Sequence, residues 1–503
     1  MAKPYVLSAS DRSFFQSVNA AVLANPFSDR RSAIDREISG LLNVKPPEAI
    51  ITAAIRNVTA RIKRLESKGR ADLRDFSGDD RRILKGAFLY DVFHRYIPEF
   101  DELIEAQHQT PAKSLPVPFA AAALADLEAK GFEHRDAERY FALSYQLRRA
   151  FFFIRLGLVG RSPSMQTFRE SLWNNVFTSD IDLYDNYLWN RMEDFSTILI
   201  GETGTGKGSA AMAIGQSAFI PYNRREGRFQ ESFAATLVSL NLSQFSETII
   251  ESELFGHTKG AFTGALQDHQ GIFSRCSPYG AIFLDEIGEI PHSLQIKLLK
   301  VIEERAFRPV GGHADQRFEG RVIAATNRSA ETLLNRGLMR EDFYYRLCSD
   351  VIVVPPLRRR IAEDPGELDD ITDAVVAKII GKPSPNLAKM VLAVIDRRLG
   401  RHYHWPGNVR ELAQCVRRVL LNRSYSRPAI GAGTDLHPEF VEAMAEGRIT
   451  VQDLQAGYCH HLYTLFGTYG EVARRTGLDR RTVKKYIEAW NRRKGAVPTT
   501  TTD

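Results

Sequence analysis

The chain has 503 residues, 44% of them apolar and 25% charged, with a net charge of +6. That length exceeds what one hydrophobic core usually serves, and the composition excludes a globally disordered chain. Four scattered cysteines (Cys276, Cys348, Cys415 and Cys459) form no C-x-x-C pair, and no apolar run reaches the roughly 18 residues of a membrane span, so a protein of the reducing cytoplasm is expected. The start, MAKPYVLSASDRSFF, lacks the continuous apolar segment of a signal peptide.

Residues 1–155 read as helical. Ile51, Ile55, Val58, Ile62 and Leu65 recur at helical spacing beside Arg61, Lys63 and Arg64, which predicts a helix turned toward a core. The stretch Thr110-Pro-Ala-Lys-Ser-Leu-Pro-Val-Pro118 reads as a linker that splits the region. From 160 to 360 short apolar runs alternate with helical periodicity. Ser196–Ile200, Ala235–Leu240, Gly280–Leu284 and Arg321–Ala325 predict buried parallel strands in an α/β domain. Residues 361–424 return to helix as a smaller lid, 425–450 read as a linker, 451–494 as a basic helical pair, and 495–503 as a tail.

The strand before Gly201-Glu202-Thr203-Gly204-Thr205-Gly206-Lys207 and the helical run after it supply the context of a phosphate-binding loop. Its glycines let backbone amides turn toward phosphates, and Lys207 would contact the outer ones. Gly208 stands where such loops often carry a magnesium-binding hydroxyl; Ser209 is adjacent, and water could take that place. The apolar run Ala281–Leu284 ends in Asp285 and Glu286, one carboxylate for Mg²⁺ and one to polarise the attacking water. Asn327, at the end of Ala324-Ala-Thr-Asn-Arg328, would orient that water or sense the γ-phosphate. Arg340, Arg346 and Arg410 lie far along the chain from the loop, as suits a site completed by a neighbouring subunit.

Between these motifs lies Gly256-His-Thr-Lys-Gly-Ala-Phe-Thr-Gly-Ala265, a lone aromatic on glycine hinges that is poor core material and good contact material. GETGTGK, ESELFGHTKGAFTGA, GAIFLDEIGE, AATNR, MREDFYYRL, VPPLR and WPGNVREL occur in the order and approximate spacing of the sigma-54-interacting AAA+ domain of bacterial enhancer-binding activators, which residues 160–424 resemble. The resemblance implies a P-loop AAA+ fold, a parallel sheet with helices on both sides and a helical lid, that forms a homo-oligomeric ring, typically a hexamer. It implies ATP hydrolysis with Mg²⁺, coupled to remodelling of the RNA polymerase holoenzyme that contains sigma-54.

By the same resemblance Gly260, Ala261, Phe262, Thr263, Gly264 and Ala265 form the sigma-54-contacting loop, with Phe262 and Thr263 touching the target. Asn241 matches the switch residue that holds the catalytic glutamate aside, Arg340 and Arg346 the trans-acting fingers, and Arg410 the second sensor. Two departures stand out. The stretch around PYNRREGRFQESF, with Arg224, Arg225 and Arg228, is about a dozen residues longer than is usual in the family, and the first 155 residues match no familiar regulatory domain.

Gly470–Ile487 reads as helix, glycine turn, helix. Val472, Ala473, Leu478, Val483 and Ile487 supply the apolar contacts and Asp479 the cap of the second helix. Arg480, Arg481, Thr482, Lys484 and Lys485 would face the major groove of double-stranded upstream DNA, and the segment resembles a Fis-type helix-turn-helix. Two rival readings are a DNA-binding regulator that uses ATP for assembly only and a DNA-translocating ATPase. The N-terminal 155 residues are expected to regulate the ring, most simply by restraining it, so that their removal would free the ATPase.

Overall fold

The computed structural model describes residues 4–41, 46–400, 403–425, 444 and 447–494. Most of the linker expected over 425–450, and the tail expected over 495–503, lie outside the described residues. Two compact units divide the chain, Met1–Ser424 and Tyr425–Asp503.

In the first unit five strands form one parallel sheet: β1 (Thr197–Ile200), β4 (Leu237–Asn241), β5 (Ala281–Asp285), β8 (Arg321–Thr326) and β9 (Asp350–Val353), in the order β4-β5-β8-β1-β9. Two short antiparallel hairpins accompany it: β2 (Tyr222–Asn223) with β3 (Arg228–Phe229), and β6 (Ala306–Phe307) with β7 (Gln316–Arg317). The four strands predicted from sequence are there, with ends shifted by at most two residues. The fifth, β9, and both hairpins are additions. Their runs are too short, or too exposed on alternate residues, to stand out by pattern: β9 buries Ile352 while Val351 and Val353 stay exposed.

Both faces of the sheet are covered, as a parallel sheet requires. Ile198, Ile282, Leu284, Val322 and Ala324 point into one core with Leu254, Phe273, Leu294, Leu298 and Phe343. Leu199, Phe283, Ile323, Ala325 and Ile352 point into the other, which the helix Lys207–Gly215 shares through Ala210, Ala211, Ala213 and Ile214. This second core runs on unbroken into the N-terminal helices, through Phe141, Ala150, Phe153, Phe168 and Leu172 to Phe15, Val58 and Phe88. The boundary expected near residue 155 falls inside the helix His134–Gly157, within that continuous core. Thus the all-α N-terminal region and the α/β sheet share one apolar interior.

The helix Pro47–Ser67 buries Ile50, Ala54, Val58, Ile62 and Leu65, so the predicted stripe does face a core, although Ile51 is exposed at its edge. The helices Leu357–Glu363, Gly366–Ile380, Pro385–Arg398 and Asn408–Asn422 make the lid. In the second unit Val451–Phe466, Tyr469–Thr476 and Arg480–Lys494 enclose a small core of Cys459, Leu462, Val472, Val483 and Ile487. Among the described residues no helix is long and apolar enough to cross a membrane.

Candidate nucleotide site and effector loops

The loop after β1 turns on Gly204 (φ +81°) and Gly206 (φ +110°), conformations that strain any residue with a Cβ. It delivers Lys207 to the first turn of a nine-residue helix, where free amides and the helix dipole favour anions. Lys207 is 8% exposed, and among the described residues its ammonium donates only to the carbonyl oxygens of Gly201 (2.8 Å) and Glu202 (3.2 Å). Burial pushes its pKa down, while Glu286 and Asp285 oppose that effect and Arg410 adds to it. Among the described residues no carboxylate forms an ion pair with it, and nothing lies within 4 Å of where a Cβ on Gly206 or Gly208 would stand. A buried cation without a counter-ion, beside an open glycine cradle, fits the phosphates of a nucleotide.

The sheet register sets the other groups around this loop. Asp285 ends β5 directly opposite Asn241 at the end of β4. Its Oδ1 accepts the amide of Glu286, and Glu286 sits at φ +59°, ψ +45°, a left-handed conformation that costs a non-glycine residue of order 1–3 kcal/mol. The turn it makes is thereby fixed by its neighbours. Asn327 follows β8, whose Thr326 pairs with Ile200 and accepts the Gly201 amide at 3.2 Å; its side chain is exposed at the same end of the sheet. Asn241 accepts from the amide and hydroxyl of Ser243, and among the described residues no hydrogen bond joins it to Glu286. Thr205 donates to the Glu202 carbonyl, while Thr203 and Ser209 are exposed. Asp285, with Ser209 or water, is the donor set that suits a magnesium ion held mainly by phosphate oxygens. Among the described residues no cluster of three acidic, histidine or cysteine side chains could hold a metal alone.

The lid reaches this loop in the same chain. Asn408, buried at φ +51°, donates to Glu202 Oε2 and the Thr203 carbonyl at 3.1 Å and accepts from the Leu357 amide. Arg358 forks onto Glu202 at 2.6 and 2.7 Å. Arg410 follows on the same helix, close enough that a Cβ on Gly204 would lie 2.8 Å from the Cβ of Arg410.

Arg340 and Arg346 are placed otherwise. Arg340 forks onto Asp342, and Arg346 donates to the Ile302 carbonyl. The Arg346 carbonyl accepts from Ser196, just before β1, whereas the phosphate loop begins beyond the strand's other end, about 17 Å from Ser196. Neither arginine contacts its own loop in the described hydrogen bonds.

A tie that sequence reasoning missed joins the lid to Val159–Ser164. The buried Glu367 carboxylate accepts the amides of Arg161 and Ser162 and the Arg360 guanidinium, and Glu363 accepts the Ser164 amide. The turn needs glycine, because a Cβ on Gly160 would fall 2.5 Å from both the Arg360 guanidinium and the Glu367 carboxylate.

The glycine-hinged loop closes on itself, the Gly260 amide donating to the Ala265 carbonyl and the Ala265 amide to that of Phe262. Phe262 is 36% exposed with one edge against the His257 ring, Thr263 is exposed, and Ala265 is buried. The loop leans on the turn between β6 and β7: Thr258 donates to the Val310 carbonyl, and a Cβ on Gly311 would lie 2.8 Å from that of Ala261. That second loop went unread because its residues, Arg308–Asp315, carry no motif.

In the C-terminal unit Asp479 accepts the amides of Arg481 and Thr482 and the Thr482 hydroxyl, so Thr482 is engaged in the cap. Arg480, Arg481, Lys484 and Lys485 are exposed.

Residues 183–353 match the family described as the Sigma-54 interaction domain. The chain is 37% identical to the DNA-binding transcriptional regulator NtrC of Azospirillum brasilense over 277 residues, 55% of this chain and 50% of that protein. It is 42% identical to the Nif-specific regulatory protein of Azotobacter vinelandii over 236 residues, 46% of this chain and 40% of that protein. Thus the chain spans about half the length of the curated relatives it matches. The crystal structure of NtrX from Brucella abortus in complex with ATP superposes at a TM-score of 0.40 and 21% identity, over 74% of this chain and 80% of that one. With its sheet order and its matched residues, the segment 183–353 is a Sigma-54 interaction domain, and the chain is similar across that region to DNA-binding and Nif-specific transcriptional regulators.

Proposed function

We propose that this protein is a cytoplasmic ATPase that binds upstream double-stranded DNA and, as a ring of copies, remodels sigma-54 RNA polymerase holoenzyme into the open complex. One observation carries the reading. Asn241 and Asp285 lie side by side at the ends of β4 and β5, and the chain leaves β4 through the helix Glu247–Phe255 directly into the Gly260–Ala265 loop. A change at the γ-phosphate therefore has a short covalent path to Phe262.

In this reading the amides of Gly204–Lys207 and the Lys207 ammonium bind the ATP phosphates, and Asp285 holds Mg²⁺, which neutralises charge on the phosphate oxygens. Glu286 takes the proton of the attacking water and Asn327 orients that water. Asn241 restrains Glu286 until the target is engaged, and Arg410 senses the nucleotide from the lid. Arg340 and Arg346, which make no hydrogen bond to their own loop among the described residues, act on the neighbouring copy. Phe262 and Thr263 meet sigma-54, while Arg480, Arg481, Lys484 and Lys485 meet DNA phosphates and bases.

The deciding experiment is transcription in vitro from a sigma-54 promoter bearing the upstream site, with ATP or with a non-hydrolysable analogue. Open complexes are expected with ATP only. Equal activity with both nucleotides would leave ATP an assembly role and defeat the remodelling reading.

A further inference from the structure

Two segments with no place in the nucleotide site meet each other. The residues inserted between the P-loop helix and β4 fold into the β2–β3 hairpin, and the proline-rich stretch before residue 119 runs alongside it. Val117 donates to the Gly227 carbonyl at 2.8 Å, Pro116 bridges Arg228, and Arg228 donates to the Ser114 carbonyl. Arg224 pairs with Glu128 at 2.7 Å. Phe229, fully buried, stacks on Tyr145 with ring centroids 4.1 Å apart. Two of the insertion's arginines, Arg224 and Arg228, are thus engaged by the N-terminal region, while Arg225 stays exposed.

Beside the hairpin, the helix His134–Gly157 grips the far end of the P-loop helix. Arg149, with no exposed surface, donates to the carbonyl oxygens of Gln216 (2.7 Å) and Ala218 (2.6 Å), and Gln146 donates to that of Ser217 (2.9 Å). Among the described residues no carboxylate forms an ion pair with Arg149; its charge rests on carbonyls and on the faces of Tyr145 and Phe233. Burial pushes its pKa down to about 10, which leaves it a cation at neutral pH. A cation at a helix C-terminus complements the dipole whose other end would face the phosphates. The nine residues between form a rod of about 13 Å.

We propose that Arg149 is a positioning residue for nucleotide binding, and that Arg149 with the 221–233 hairpin is the route by which the N-terminal helices control the ATPase. The inference rests on the nucleotide reading above. Because the insertion joins the P-loop helix to β4, a displacement of the N-terminal helices moves the phosphate loop and the strand that ends at Asn241 together. The N-terminal region then acts as part of the ATPase body, through a rigid contact, and not as a tethered domain that lifts away.

Hydrogen exchange on the full-length protein, with and without Mg²⁺ and the β,γ-imido analogue of ATP, tests this. Binding is expected to slow exchange in 134–157 and 221–233 as well as in the phosphate loop and lid. Arg149→Met should weaken analogue binding about tenfold, because two buried carbonyls lose their donor, and Arg149→Lys should recover part of it. Protection confined to the loop and lid in the wild type would overturn the proposal, whether or not Arg149→Met folds. So would an Arg149→Met protein that melts and binds like the wild type. A wild type that binds no analogue at all would overturn the nucleotide reading along with it.

Discussion

Two glycine-rich loops share a composition and differ in their surroundings. In the phosphate loop a Cβ on Gly204 would fall 2.3 Å from the Gly407 carbonyl oxygen, and one on Gly201 would fall 3.0 Å from the Val354 side chain. In the Gly260–Ala265 loop both glycines also have positive φ, +83° and +103°, yet nothing lies within 4 Å of either Cβ position. At Gly201 and Gly204 the first loop uses glycine so that backbone can pack closely against its neighbours, while Gly206 stands clear. At Gly260 and Gly264 the second uses it so that a short segment can turn, with no neighbour within 4 Å of either Cβ position. Composition does not separate the two uses; neighbours do.

The largest effect belongs to the phosphate loop. Lys207→Ala should abolish binding of a fluorescent ATP analogue, since it removes the buried cation; wild-type affinity would refute the site. Glu286→Gln should still bind and hydrolyse at less than about a tenth of the wild-type rate. Arg340→Ala and Arg346→Ala should lose up to roughly 10³-fold in turnover, with partial rescue in rings mixed with Lys207→Ala subunits. Mixed rings that show no rescue would assign these arginines to their own subunit.

Removing residues 1–155 tests whether the phosphate loop needs its distant anchor. A freely hinged regulatory domain would leave an ATPase that runs unrestrained. The shared core points the other way, because the cut removes Arg149 and Gln146 and bares the apolar face of the P-loop helix. The 156–503 fragment should aggregate or fail to hydrolyse ATP, as measured by sedimentation and phosphate release. A soluble fragment with a higher rate than the full chain would show that the phosphate loop is self-sufficient.

The Gly260–Ala265 loop should separate chemistry from work. Phe262→Ala removes a ring that is 36% exposed and meets the His257 ring edge-on, so ATP turnover should stay within about twofold, given a surface change of about ±0.5 kcal/mol. Open-complex formation should be lost. Loss of both together would mean that the loop takes part in hydrolysis.

What the sequence disclosed about these regions follows from where each signal is stored. The phosphate loop, the acidic end of β5 and the cap at Asp479 are local: turn chemistry, strand termini and helix starts are written in five to eight consecutive residues. The parallel sheet was legible for the same reason, since its central strands are continuous apolar runs. Arg149 was not. It is one arginine among many on a helix, and its partners lie 67 and 69 residues away, so only the fold shows that it is buried. The hairpin of 221–233 and the stretch 110–118 each read as basic or proline-rich surface, and their pairing is visible only when both are placed. Similarly, the tie of Glu367 to Arg161 and Ser162 spans more than 200 residues.

The smallest expected effect sharpens the comparison most, because it substitutes the same residue in both loops. Alanine at Gly204 meets a φ of +81° and a backbone oxygen at 2.3 Å, so either the loop or the lid helix beginning at Asn408 must move. Analogue binding should fall at least about tenfold, and melting should shift by several degrees, since overpacking of this kind costs about 1–3 kcal/mol. Alanine at Gly264 carries only the backbone cost of positive φ, about 1–2 kcal/mol, and no neighbour prevents the segment from relaxing into an allowed turn. Melting should therefore move by about 2 °C or less and ATP turnover should hold, while activation falls in proportion to how far the hinge is stiffened. If the two alanines instead cost the same in both assays, the contrast in surroundings would have no energetic consequence, and the glycines of both loops would serve the same purpose.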